Sequence, residues 1–244
     1  MSIQIKGNRN NFGIYEISLE SKDSVKKFKF PSVTTILGLM KNPELEQLKK
    51  EIGDPKEFKR ISSTAANRGN VMHLFLENFC LGLQQGFSKN NSLLFSQQKT
   101  NKIIEQIYEK SEIEKGIDLF YNLYHSPFID EMKKPLLIEG LMVSFLNKYA
   151  GRTDIIYQDN RNKIILGDYK SSSNIILPGS IKEIKYKLQL SAYINAFEET
   201  RNLKIFEGVI WVGHPTGYQK IVLSKYEYEI FLQYFLQLRK EFKK

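Results

Sequence analysis

Tyr149 to Ser173 reads YAGRTDIIYQDNRNKIILGDYKSSS, and the fold turns on how this stretch is divided. Thr153-Asp154-Ile155-Ile156-Tyr157 is apolar and β-branched and reads as a strand, as does Lys163-Ile164-Ile165-Leu166. Between them Gln158-Asp159-Asn160-Arg161-Asn162 has the polar composition of a turn, so the pair is an antiparallel hairpin. The hairpin returns Asp154 and Asp168 to the same end of a sheet. Alternation along the second strand puts Asp168 and Lys170 on one face and Tyr169 on the other.

Two carboxylates and an ammonium at one spot are costly to bury unless the acids are neutralised, and a divalent cation is the usual neutraliser. The lysine then holds or deprotonates an attacking water. The same letters also describe two strand-end surface acids, one of them paired with the lysine, and D-x-K is too short to separate the two readings.

Outward from the hairpin, the chain alternates from Gly13 to Glu20 as a strand, with Val25 to Phe30 as its hairpin partner. Ser32 is an N-cap for a short helix through Thr35, Ile36, Leu37 and Met40 that stops near Asn42-Pro43, and Ser32, Thr34 and Thr35 serve capping and turn chemistry, which is compatible with phosphate contact. The pattern is helical from Glu44, breaks at Gly53-Asp54-Pro55, and resumes as a long amphipathic helix from Ser63 or Thr64. On that helix Gly69, His73 and Glu77 recur every fourth residue and form one stripe. A lone histidine on a helix is ordinarily a surface or satisfied core residue. Gly82 to Lys99 reads as a polar connection, and the apolar positions from Ile103 to Leu123 as two helical segments or one continuous arm.

Pro135 opens a strand, Leu136 to Phe145, that contains Glu139. Ser180 to Glu199 is a helix on which Gln189 and Tyr193 share a face with Lys182 and Lys185, either as a surface stripe or as groups that orient the acids and meet a phosphate. Two strands follow, Phe206 to Val212 and Tyr218 to Leu223, joined across His214-Pro215-Thr216-Gly217. Neither His214 nor His125 has a spacing partner that makes it a ligand. The last helix runs from Lys225 into the basic end Arg239 to Lys244, which complements the helix dipole. The expected fold class is α/β: helix, three strands, helix, two strands, behind an N-terminal β/α extension.

GRTDII, ILGDYKSSS and KLQLSAYINAF resemble the G-x-x-D, D-x-K and Q-x-x-x-Y elements of the PD-(D/E)XK nuclease superfamily in its RecB-like branch. FPSVTTIL and RGNVMHLFLENF resemble the mitochondrial genome maintenance exonucleases in particular, and the likeness runs in order from Pro31 to the C-terminus. It implies a restriction-endonuclease-like αβββαβ core with a mixed central sheet flanked by helices. It also implies a metal-dependent exonuclease acting on single-stranded DNA from a free end, in repair, recombination or replication, with helices forming a wall over the site. By that resemblance Asp154, Asp168, His73 and the Tyr169 carbonyl hold one or two Mg²⁺, and Lys170 positions the water. Gln189 and Tyr193 orient the site, Glu77 supports His73 from behind, and Arg68, Ser171, Ser172 and Lys185 meet the nucleic acid. Glu139 matches an acid common in the family's first strand that the metal site there does not need. An imidazole ligand suits Mn²⁺ better than Mg²⁺, so Mn²⁺ is expected to serve as well.

Composition agrees. At 244 residues without an evident linker, the chain is expected to be one domain, with 1–62 as extension, 63–134 as helical part and 135–244 as core sheet and helices. A net charge of +9 and pI near 9.3 suit a polyanion-binding surface, though a lysine-rich chain can also be merely soluble. The single cysteine, Cys80, excludes a disulfide framework and the four-cysteine cluster that some relatives of this fold carry. No apolar run of transmembrane length and no leader signature is evident, so a cytoplasmic compartment of a bacterium or a phage-infected host, with no membrane partner, is expected. Two alternatives stay open: a nuclease module serving a helicase or phage recombination complex, and an inactive nucleic-acid-binding protein on the same fold, against which the intact D…D-x-K set argues.

Overall fold

The stretch from Tyr149 to Ser173 lies at the centre of a five-stranded sheet in the computed structural model, which describes residues 4–21, 24–201 and 203–242. Lys243 and Lys244, at the end of the expected basic terminus, lie outside the described residues. The chain opens with an antiparallel sheet of β1 (Gln4–Arg9), β2 (Ile14–Ser21) and β3 (Ser24–Pro31). β2 and β3 are the expected hairpin, and β1 is an additional strand with little apolar content to announce it. Ser32 caps α1 (Val33–Leu37) by accepting the Thr35 N–H at 3.0 Å.

Pro43 does not merely stop α1. It is the first residue of α2 (Pro43–Ile52), capped by Asn42. Gly53-Asp54-Pro55 likewise ends one helix and starts the next: Asp54 accepts the Lys56 N–H at 2.9 Å, and α3 runs from Pro55 to Gln84, beginning earlier than the Ser63 or Thr64 start read from periodicity. The expected polar connection after Gly82 is mostly helix, α4 (Lys89–Ile104). Its buried face is made of Ser92, Ser96 and Thr100, closed at the C-terminal end by Ile104, and the three hydroxyl residues let it approach α3 closely; Ser96 donates to the Phe75 carbonyl at 2.6 Å. A face of hydroxyls gives no apolar periodicity to read. Ile107 lies in the turn that separates α4 from α5 (Lys110–Tyr124), so there are two helices and no continuous arm. A short α6 (Pro127–Glu131) precedes the sheet.

The central sheet has the order β4 (Met132–Ser144), β5 (Tyr149–Asp159), β6 (Ile164–Ser171), β7 (Glu207–His214), β8 (Gly217–Leu223). All neighbours are antiparallel except β6 and β7, whose parallel pairing requires the crossover through α7 (Ile181–Thr200). α8 (Lys225–Glu241) closes the described chain. Helix, three strands, helix, two strands contains the expected αβββαβ order, with β8 added.

Both faces of the sheet are buried, which is why β6 and β7 read as unbroken apolar runs. Leu166, Ile156 and Ile210 face α7, α8 and α1. Ile155, Ile165, Tyr169 and Trp211 face α3, α5 and α6. The N-terminal sheet packs through Tyr15, Ile17 and Phe30 onto Val143 and Ala150 of β4 and β5.

Candidate active site

The β5–β6 ladder closes at Ile155 opposite Gly167, and beyond that pair the two strands part. The backbone groups freed there are taken by side chains of β5. Thr153 Oγ1 donates to the Gly167 carbonyl at 2.9 Å, and the Tyr169 N–H donates to Asp154 Oδ2 at 2.5 Å. Within a strand, a residue's N–H and C=O point to the same side. The Tyr169 carbonyl therefore also points into the gap between the strands.

Five side chains from four elements meet at this opening. His73 Nδ1 on α3 lies 3.5 Å from Asp154 Oδ1. Lys170 Nζ is hydrogen-bonded to Asp168 Oδ2. Gln189 on α7 donates to both Asp168 oxygens, at 3.2 and 3.3 Å, and to the Tyr193 hydroxyl at 3.2 Å. Tyr169 turns to the other face, as alternation requires, with its hydroxyl 3.6 Å from Cys80 Sγ.

Two glycines make this packing possible. A Cβ on Gly69 would stand 2.7 Å from Ser171 Oγ, so the empty place on α3 admits the end of β6. A Cβ on Gly151 would stand 2.3 Å from the Tyr193 ring, which shows what the glycine of G-x-x-D does here.

The electrostatics are unbalanced. Burial, then the charge of Asp154, pushes the Asp168 carboxyl above its ordinary range, although Lys170 opposes this. Burial acts the same way on Asp154, but His73, Lys170 and the Tyr169 N–H outweigh it and hold its pKa low. Burial would neutralise Lys170 and His73, yet the facing carboxylates outweigh it and keep both protonated further up the pH scale than usual. With no ion present, the Asp168 and Asp154 carboxylates thus favour the ammonium form of Lys170, a hydrogen-bond donor at this opening. Glu139 faces the same opening with its pKa raised to about 7 by burial, Asp154 and Glu77, and its backbone sits at φ 50°. Glu77 is pushed up as well, first by burial. A cavity of about 480 Å³ is lined by Gly69, His73, Glu77, Glu139, Lys170 and Ser171.

Hard carboxylate oxygens, a strand carbonyl without a place in the ladder and an imidazole fit a divalent cation in kind. They do not stand as a finished cage. Among the described residues no three His, Cys, Asp or Glu side chains already converge as ligands, because Asp168 is turned onto Lys170 and Gln189, and Asp154 onto the Tyr169 N–H.

The other expected site residues divide. Arg68, Ser171 and Ser172 line a second cavity beside the first. Tyr193 is buried and reaches the acids only through Gln189. Lys185 lies elsewhere, its ammonium bonded to the Met40 carbonyl at 2.8 Å, while Lys182, on the same stripe, reaches Ser172 Oγ at 2.9 Å. His214 bonds to Thr216 and His125 stacks on Tyr121, so neither faces the opening. Sequence reasoning missed Arg152, whose Nη1 donates to the Glu139 carbonyl at 2.8 Å; its place inside G-R-T-D was the available signal. Lys115, for which no motif spoke, lines the second cavity as well.

Comparison with known proteins finds weak likenesses. Over 168 residues the chain is 27% identical to an ATP-dependent helicase/nuclease subunit of Alkaliphilus oremlandii (strain OhILAs), covering 63% of this chain and 14% of that protein. Among solved structures, one described as "Putative exonuclease" from Eubacterium rectale superposes with a TM-score of 0.41 at 10% identity, over 71% of this chain and 68% of that one. No family model matches. Among the described residues no helix is long and apolar enough to cross a membrane.

Proposed function

We propose that this chain is a metal-dependent deoxyribonuclease of the RecB-like PD-(D/E)XK kind that hydrolyses single-stranded DNA from a free end. The observation that carries the reading is the meeting of Asp154, Asp168, Lys170 and His73 where β5 and β6 part. Asp154, Asp168, the Tyr169 carbonyl and His73 are the groups that would hold Mg²⁺ or Mn²⁺. When bound, such an ion supplies charge stabilisation to the phosphoryl group and the leaving oxygen.

The chain's own groups do the rest. Lys170, charged, fixes a water or a phosphoryl oxygen by donation, and Gln189 keeps the Asp168 plane in one orientation. Ser171 and Ser172 donate hydroxyls to the phosphate beside it. His73 must be neutral to act as a ligand, so occupancy of the site competes with the protonated form of His73, which the Asp154 carboxylate favours.

The test is cleavage of linear single strands, closed single-stranded circles and duplex by the purified chain, in chelator, Mg²⁺ or Mn²⁺. Metal-dependent shortening of linear strands is the expected result. Efficient cutting of circles removes the exonuclease reading, and binding without cleavage in any metal favours the inactive nucleic-acid-binding alternative. Because the Alkaliphilus relative is a helicase/nuclease subunit of which this chain spans a small part, a nuclease module working with a helicase is the second reading. Co-purification with a helicase tests it.

A further inference from the structure

Beside the candidate active site, between α3 and α5, lies a cavity of about 400 Å³ walled by Arg68, Lys115, Asp118 and the run Ser171-Ser172-Ser173. Ser171 lines both this cavity and the one that holds His73 and Lys170, so the two share a wall. Among the described residues neither Arg68 nor Lys115 has an ion-pair partner. Ser172 Oγ accepts from Lys182 at 2.9 Å and from the Asn174 N–H at 3.3 Å, which leaves its own hydrogen to donate. Two unpaired cations and a row of hydroxyls around a small space are the chemistry of an anion site.

We propose that this cavity binds the phosphorylated terminal nucleotide of a nucleic-acid strand. The proposal rests on the nuclease reading and names the end that reading requires. A terminal phosphomonoester carries about −1.5 to −2 at neutral pH, against one negative charge for an internal diester, so two unpaired cations match the end better than the middle of a strand. The guanidinium of Arg68 presents the fork that takes two phosphate oxygens at once. Asp118 repels phosphate and must instead accept from an N–H or O–H of the sugar or base. Ala65, Leu119 and Pro215 add an apolar wall for the remainder of the nucleotide. The ligand is therefore a nucleotide end and not inorganic phosphate, and the chemistry is shared by 5′- and 3′-phosphates.

The experiment measures binding in chelator, with Asp168→Asn as the non-cleaving background, by anisotropy of an internally labelled oligothymidylate. The strand carries a 5′-phosphate, a 3′-phosphate or hydroxyls at both ends; thymidine monophosphates and inorganic phosphate serve as competitors. One phosphorylated strand should bind about tenfold tighter than the hydroxyl-ended one, and the tighter strand identifies which end enters. Nucleotide should compete better than phosphate. Arg68→Ala and Lys115→Glu should bring the ratio of affinities toward one, and Lys115→Arg should retain it; Lys115 is exposed on α5, so its replacement leaves the packing intact. Equal affinity for all three strands, or a preference that survives both substitutions, overturns the pocket. End-selective binding by a wild-type chain that cuts nothing sinks only the nuclease reading, whereas cleavage without end selectivity sinks only the pocket.

Discussion

The β5–β6 hairpin carries acids at both of its ends, and they are treated in opposite ways. At the turn, Asp159 accepts the Arg161 N–H at 2.8 Å, the Lys163 N–H at 2.7 Å and Arg161 Nε at 3.2 Å. Burial would push its pKa up, but these donors outweigh it and hold the carboxyl low. At the other end Asp154 and Asp168 face one another, and burial with the charge of Asp154 holds Asp168 high in spite of Lys170. A carboxylate whose bonds are closed locally is holding a turn together. Where two acids oppose each other across a gap, Asp154 is satisfied by His73, Lys170 and the Tyr169 N–H, and the cost that folding alone does not repay falls on Asp168.

The largest expected effect separates these ends. Asp168→Asn or Lys170→Ala should lower metal-dependent cleavage of linear single strands by about a thousandfold or more, the scale of losing a group that acts on developing charge. The metal-free Asp168→Asn chain should melt no lower than wild type, since the change removes repulsion as well as a charge pair. Asp159→Ala should do the reverse: cleavage within about twofold of wild type, and stability in urea reduced by about 1–3 kcal/mol as two backbone donors lose their acceptor. A chain in which Asp159→Ala abolished cleavage while Asp168→Asn left it intact would invert the comparison.

A smaller loss is expected one step back from the acids. Gln189→Ala frees Asp168 to rotate and should lower cleavage by about 10–100-fold while leaving strand binding in chelator nearly unchanged. Gly151→Ala works through the same chain of contacts, because its new Cβ displaces the Tyr193 ring that supports Gln189. It should also cost about 1–3 kcal/mol of stability from overpacking. Should Gly151→Ala destabilise the chain yet leave kcat untouched, the glycine would serve packing alone.

How much of this was legible follows from which signals a sequence carries. Alternation alone placed Asp168 and Lys170 on one face and Tyr169 on the other, and the fourfold stripe on α3 put Gly69 and His73 where β6 arrives. The parting of β5 and β6 was not legible, because it depends on Thr153 and Asp154 side chains replacing ladder partners. α4 was hidden because Ser92, Ser96 and Thr100, not leucines, form its buried face. Lys182 and Lys185 are equivalent on a helical wheel; only the neighbouring α1 decides that Lys185 is bound to Met40 while Lys182 reaches Ser172. Nothing local announced the left-handed φ of Glu139 either, since it lies within β4, whose register against β5 shifts between Pro135 and Leu137.

The smallest effect is a matter of sign. Glu139, on the site side, has its carboxyl raised to about 7 by burial, Asp154 and Glu77, against about 4.3 in an unfolded chain. Such a group binds its proton more tightly when folded, so the stability it contributes is complete below about pH 4.3 and is lost as pH rises through 7. Asp159 is shifted the other way, so its contribution is present above the ordinary aspartate value of about 3.9 and is lost on acidification. Melting curves of the metal-free chain at stepped pH should therefore respond oppositely to two substitutions. Glu139→Gln should raise Tm at pH 8 by about 2–4 °C and change little at pH 4, whereas Asp159→Asn should lower Tm at pH 8 and converge on wild type as the medium is acidified. If both variants shifted Tm in the same direction across the range, the two ends of the hairpin would not differ electrostatically, and the acids where β5 and β6 part would be as fully satisfied as the one at the turn.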